Sequence, residues 1–183
     1  MSYKFEELND EEEVRKYPIV VPIEGFDDYE VDTDGNIYNS LGKRLKPGLG
    51  NHGYLLVGLM KNGKQHTKNV HRLVAQTFID NPNDKDCVDH IDNDKTNNSV
   101  YNLRWATHQE NHYNRSISSN NTSGVKGVTW NRRAKKWQSQ IMINGKLYNL
   151  GYFDDIEDAK RVRQLKAQQF FGLYINKIEI YNN

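Results

Sequence analysis

An aspartate and a histidine are adjacent at Asp89-His90, Asn102 follows twelve residues later, and Asn111 nine residues after that. One imidazole and several side-chain oxygens thus fall within a stretch of under thirty residues. An imidazole can carry a proton near neutral pH, and carboxylate and amide oxygens are what a hard divalent cation takes as ligands. Asp92, Asp94, His108 and His112 lie nearby as weaker candidates for the same work. A lone histidine at a strand end, or an asparagine in a turn, more often serves geometry alone. The weight therefore rests on the set rather than on any one member.

The charge pattern around this set points to a polyanionic substrate. The formal net charge of the 183 residues is only +1, but residues 1–36 carry 12 acids against 3 bases, so the remainder is net +10. Residues 37–79 hold seven bases and no acid, residues 80–98 six Asp against two Lys, and residues 99–149 eight bases against Glu110 alone. Basic blocks are the usual footprint of phosphate contact, whereas an acidic block between them is costly beside phosphate unless a divalent cation sits there. A metal-assisted reaction on a polyanion fits both, and a merely solvated acidic loop is the plainer alternative.

These residues need elements to aim them. The stretch Cys87-Val88-Asp89-His90-Ile91 reads as one strand, Asp92 to Ser99 as a polar loop, and Leu103-Arg104-Trp105-Ala106 as a second strand. Thr107, with Glu110 three residues on, forms a capping box that opens a helix over 108–115. Upstream, Phe5 to Tyr17 reads as an acidic helix, and Asp34-Gly35 and Asn62-Gly63 each turn a hairpin. Val70, Leu73, Val74, Thr77 and Phe78 recur at helical spacing, giving an amphipathic helix over 70–79 that stops before Asn81-Pro82. Downstream, strands over 125–130, 137–143 and 147–153 are followed by a helix over 154–171.

From Val70-His71-Arg72-Leu73-Val74-Ala75 through Val88-Asp89-His90-Ile91-Asp92, Thr96-Asn97-Asn98 and Asn102-Leu103-Arg104-Trp105-Ala106-Thr107 to Asn111, the sequence resembles the HNH nucleases, in particular the homing-endonuclease branch associated with phage introns. The resemblance implies a ββα-metal unit with His90 as general base and Asn102 as the middle motif residue, tying the loop to the hairpin. It also implies one Mg2+ or Mn2+ ion taking oxygens from Asp89 and Asn111. Many family members carry His at the last position, so His112 is the alternative to Asn111. His71 matches the family as a structural or phosphate-contacting residue, and Trp105 reads as core.

Two further resemblances flank this one. Ile23-Glu24-Gly25-Phe26, Tyr29-Glu30-Val31 and Asp34-Gly35-Asn36-Ile37-Tyr38-Asn39-Ser40 resemble a nuclease-associated modular domain, on which Lys43, Arg44, Lys46, Lys61, Lys64 and Lys68 supply backbone-contacting cations; Arg104 joins them from the central unit. Gly124-Val125-Lys126-Gly127-Val128, Lys136-Trp137, Gly145-Lys146, Leu150-Gly151-Tyr152-Phe153 and Asp158-Ala159 resemble the three-stranded DNA-binding domain of plant ethylene-response factors. Such a sheet fits the major groove. Alternation places Gln138, Gln140 and Met142 on one side and Trp137, Ser139, Ile141 and Ile143 on the other. With Lys126, Thr129, Arg132 and Arg133, the first set makes the expected DNA face. Thr129, Met142 and Asn149 stand where the plant proteins carry Arg, so their target sequence does not transfer.

The expected fold class is α+β, in small modules: an acidic segment over 1–16, the modular domain over 17–69, the nuclease unit over 70–115, a linker over 116–123, the sheet-plus-helix domain over 124–175 and a tail over 176–183. The expected partner is double-stranded DNA, bound by a monomer that nicks or cuts its strands in turn, since one active site cuts one strand per visit. A DNA-binding regulator that keeps the nuclease fold without activity is the alternative. Cys87 is the single cysteine, which excludes a disulfide framework. No apolar run approaches the ~20 residues of a membrane span, and the acidic N-terminus does not read as a secretory signal. The expected location is therefore the cytoplasm, or wherever the target DNA resides, including a nucleus. The 22 asparagines, with abundant Lys, Ile and Tyr, hint at an AT-rich coding sequence compatible with a phage or virus.

Overall fold

The computed structural model describes residues 18–177 and Glu179, so the acidic helix expected over 5–17 lies outside the described residues. In chain order the elements are β1 (Val20–Ile23), β2 (Phe26–Asp32), β3 (Ile37–Asn39), β4 (Gly48–Leu49), β5 (Leu55–Lys61), β6 (Lys64–Asn69), α1 (Val70–Phe78), β7 (Cys87–His90), a 3-10 turn (Val100–Asn102), β8 (Leu103–Ala106), α2 (His108–Tyr113), β9 (Val128–Asn131), β10 (Lys136–Ile143), β11 (Lys146–Phe153), α3 (Ile156–Phe171) and a second 3-10 turn (Gly172–Tyr174). This is the α+β class expected, with several small antiparallel sheets and few helices. The described chain packs as two compact units: residues 18–84 with 94–105, and residues 85–93 with 106–177 and Glu179.

The first unit holds two three-stranded sheets, β1-β2-β3 and β4-β5-β6. One of its two-residue turns is written in the sequence. Asn62 and Gly63 both have positive φ, 52° and 71°, as a two-residue type I′ turn requires, and Lys61 therefore pairs with Lys64. The β2–β3 connection is held by a buried carboxylate, because Asp32 Oδ1 accepts from the Asp34 and Asn36 amides and Oδ2 from Asn36 Nδ2 and Tyr38 Oη. One face of α1 buries Val70, His71, Leu73, Val74 and Ala75, and the core beside it includes Val31, Ile37, Val57 and Leu59.

In the second unit β10 pairs with both β9 and β11. The inward side of β10 presents Ser139 and Ile141, with exposures of 0% and 2%, matching the expected alternation. Ile141, Ala167, Phe171 and Ile175 form a core against which Tyr113, Ile143 and Leu150 pack. The first strand starts at Val128 rather than at residue 125, for a local reason. Gly127 has a φ of +72° and lies so close to the Gln140 carbonyl and the Arg163 guanidinium that a Cβ would collide with both. Ser123 Oγ meanwhile donates to the Val128 carbonyl at 2.6 Å, folding 123–127 into a turn. The polar stretch 116–123 belongs to the same compact unit as the segments on either side of it.

Candidate active site and nucleic-acid-facing surfaces

Within the second unit, β7 ends in Asp89 and His90, whose exposures are 4% and 5%. The helix expected after Thr107 is present, and it opens with the full capping box: Thr107 Oγ1 accepts from the Glu110 amide at 3.2 Å, and Glu110 Oε2 accepts from the Thr107 amide at 2.7 Å. Burial of Glu110 favours its neutral form, but hydrogen bonds from the Thr107 backbone and from Lys85 outweigh that and leave its carboxyl below the ordinary value. Lys85 sits 2.9 Å from Glu110 and also donates to the Tyr174 hydroxyl. Asn111 lies half-buried on this helix, its amide bonded to the Thr107 carbonyl. His112, the alternative, is exposed. Partial burial, then Arg115 and Lys126, hold its imidazole below the ordinary value.

The residue the sequence did not single out is Asn114. It is the C-cap of α2, 1% exposed, and its amide nitrogen lies 3.1 Å from each oxygen of Asp89 and 2.8 Å from the His90 carbonyl. Its two hydrogens can thus serve the carboxylate and the His90 backbone together. The only sequence signal was an asparagine just past a short helix, which is too common to stand out.

In the first unit, Asn102 is 8% exposed, and its side-chain amide donates to the Asn97 carbonyl at 2.9 Å. This ties off the loop that precedes it. The Val100 amide donates to the Thr33 carbonyl, anchoring the 3-10 turn to the β2–β3 hairpin. His71 is buried with its ring 4.7 Å from that of Tyr54. Trp105 donates from Nε1 to the Ile79 carbonyl at 2.9 Å, in keeping with a packing role.

Among the described residues, no three His, Cys, Asp or Glu side chains come together as a metal cage. A site built on Asp89 and Asn111 offers one carboxylate and one amide. Those are hard oxygen donors, and both oxygens of Asp89 accept from the neutral amide of Asn114. This set fits an octahedral, oxygen-seeking divalent ion that takes the rest of its coordination from water and phosphate, and does not fit a zinc cage.

The expected cationic surface of the first unit is exposed at Lys43, Arg44, Lys46, Lys61 and Lys64, and no ion pair holds these among the described residues. Lys68 is half-buried, with its ammonium 5.4 Å from the centre of the Phe26 ring. Arg104 is half-buried on β8. On the outer side of the C-terminal sheet, Thr129, Arg132, Arg133 and Met142 are exposed, and Gln138 and Gln140 are half-buried; Tyr152 pairs beside Gln138 and is 44% exposed. Lys126 does not belong to that surface. Its ammonium lies 3.0 Å from Glu179 and donates to the Tyr113 and Arg115 carbonyls at 2.8 Å each, so charge counting assigned to DNA a lysine that is spent inside the fold.

Residues 68–113 match the family model described as HNH endonuclease. The chain thus carries an HNH endonuclease domain, and this domain contains Asp89, His90, Asn102 and Asn111. The DNA endonuclease I-HmuI of Bacillus phage SP01 is 42% identical over 91 residues, which are 49% of this chain and 52% of that protein. An uncharacterized HNH endonuclease, L245, of Acanthamoeba polyphaga mimivirus is 41% identical over 92 residues, 50% of this chain and 28% of that one. Protein 3.8 of Escherichia phage T7 is 36% identical over 70 residues, 38% of this chain and 58% of its own. A solved structure of DNA binding and cleavage by I-HmuI shares 40% identity over 51% of this chain and 55% of that chain, with a TM-score of 0.49. The aligned region spans between 24% and 58% of the length of the curated relatives. Among the described residues, no helix is long and apolar enough to cross a membrane.

Proposed function

We infer that the chain is a metal-dependent DNA endonuclease of the homing type, hydrolysing one phosphodiester bond of double-stranded DNA at a time. The observation that carries this reading is the Asp89-His90 pair on β7, with Asn111 on the following helix, all inside the segment that matches the nuclease family. His90 takes the proton of the attacking water as general base. Asp89 and Asn111 hold one Mg2+ or Mn2+ ion, which when bound neutralises charge on the scissile phosphate and leaving oxygen. Asn114 fixes the Asp89 carboxylate through its amide, and Asn102 closes the loop over 97–102.

Recognition is divided along the chain. The lysines and arginines at 43, 44, 46, 61 and 64 grip the phosphate backbone without reading it, with Lys68 and Arg104 in support. The outer side of the C-terminal sheet, with Thr129, Arg132, Arg133, Gln138 and Gln140, enters a groove and meets base edges. The protein acts as a monomer and leaves nicks before breaks, and the phage and mimivirus relatives support a viral source. Incubation of the purified protein with supercoiled plasmid and Mg2+ or Mn2+ tests this. Wild type yields open circles in a metal-dependent manner and His90→Ala does not. Equal nicking by both, or a gel shift without any product, refutes the assigned chemistry.

A further inference from the structure

The helix that carries Asn111 has six residues, His108–Tyr113. A helix this short is not stable on its own, since isolated helices below ~12–15 residues are marginal, and its last carbonyls have no intrahelical donor. Three successive carbonyls at that end are satisfied from far along the chain. Lys126 Nζ donates to those of Tyr113 and Arg115 at 2.8 Å, and Asn176 Nδ2 donates to that of Asn114. The Tyr113 ring stacks on Phe171 at 3.9 Å between centroids and 14° between planes. Asn114 then hands this anchorage to the Asp89 carboxylate and the His90 carbonyl, while Asn93 Nδ2 donates to its Oδ1 at 3.3 Å.

We propose that Asn114 and Asn176 are positioning residues, a buried amide relay through which the segment after α3 holds Asp89 in its metal-binding orientation. The C-terminal domain then does more than meet DNA, because part of the nuclease site is completed by residues that follow the sheet. Asn176 is 2% exposed and Asn114 1%, so neither amide is available to a ligand, and their polar atoms are spent on aim. Groups that orient a metal-binding carboxylate commonly change metal affinity ~10–100-fold when removed.

The inference rests on Asp89 being a metal ligand, and the experiment separates the two ideas. Mn2+ alone is titrated into full-length wild type, Asp89→Ala, His90→Ala, Asn114→Ala and Asn176→Ala, followed by electron paramagnetic resonance of the free ion, with and without supercoiled plasmid. Wild type, Asn114→Ala and Asn176→Ala are also assayed for the Mn2+ concentration giving half-maximal nicking, and circular dichroism reports folding of every variant. Asn114→Ala should raise the half-maximal Mn2+ concentration by ~10–100-fold, Asn176→Ala should raise it less, and His90→Ala should leave Mn2+ binding unchanged. If Asp89→Ala abolishes Mn2+ binding while both asparagine variants bind as wild type does, the relay is overturned and the metal reading stands. If Asp89→Ala binds Mn2+ like wild type, the metal reading itself fails and the relay with it. Should Asn114→Ala fail to fold, Asn176→Ala decides alone.

Discussion

Glu179→Gln probes how the short helix is anchored. The Glu179 side chain is 4% exposed; one carboxylate oxygen lies 2.7 Å from Arg163 and the other 3.0 Å from Lys126, whose side chains are 5% and 20% exposed. Burial holds both the Arg163 guanidinium and the Lys126 ammonium below their ordinary values, and Glu179 is the counter-charge that works against this. Glutamine keeps the shape and removes the charge, leaving the buried Arg163 and the half-buried Lys126 to repel each other. Breaking a buried pair by deleting one partner costs roughly 3–5 kcal/mol, a range that applies to the Arg163–Glu179 pair, while the Lys126 contact is partly screened by solvent. Urea unfolding of the full chain at pH 7, followed by far-ultraviolet circular dichroism, measures the loss. The triple replacement Lys126→Met, Arg163→Met, Glu179→Leu should recover only part of it, since an apolar cluster of similar volume carries no desolvation cost but leaves the Tyr113 and Arg115 carbonyls without the Lys126 donor. A loss below about 1 kcal/mol for Glu179→Gln, a value typical of exposed pairs, would refute the reasoning and return Lys126 to the solvent-facing cations.

Two further outcomes are expected. Tyr38→Phe removes a donor from the buried Asp32 carboxylate, 2.9 Å from Tyr38 Oη, and should cost ~1.5–3 kcal/mol as a hydrogen bond to a charged group. Burial, then the Asp32 carboxylate, raises the Tyr38 phenol above 10.0; the folded protein holds that proton longer than the unfolded chain, so the advantage of wild type over Tyr38→Phe is complete below pH ~10 and shrinks as pH rises through the folded value. In DNA binding, Lys43→Ala with Arg44→Ala should flatten the salt dependence by about two phosphate contacts for any sequence, whereas Gln138→Ala with Gln140→Ala should narrow the gap between preferred and random DNA at nearly the same salt slope. Both are read from filter-binding or anisotropy titrations across a salt series, and the opposite pattern would reverse the division of labour between the two surfaces.

Much of the frame around the candidate site could be read from the residues because its instructions are local. A capping box spans three positions, a type I′ turn two, and Asp89-His90 is a dipeptide at a strand end, so each was visible without knowing the fold. The anchoring of α2 was not visible, for the opposite reason. Asn114 meets Asp89 across 25 residues and Asn176 meets Asn114 across 62, and a buried asparagine has the same letter as the many exposed ones in this chain. Lys126 failed in the same way, since a count of charges treats every lysine as facing solvent, and only the fold reveals that its ammonium neutralises Glu179 and caps two carbonyls.

The same contrast explains how so short a helix can be held in one place. The capping box fixes where α2 begins, and at its far end Lys126, Phe171 and Asn176 supply what the helix cannot supply for itself. The metal role proposed for Asp89 would require a carboxylate aimed to within about 0.5 Å, which a six-residue helix held only by its own hydrogen bonds would not provide. The C-terminal part of this unit therefore faces two ways: the outer face of the sheet is left open, and the turn after α3 is directed inward on Asn114. A change that weakens the turn should reach the Asp89 carboxylate without touching the sheet's outer face, and it is at that carboxylate, through Mn2+ affinity, that the division of tasks can be measured.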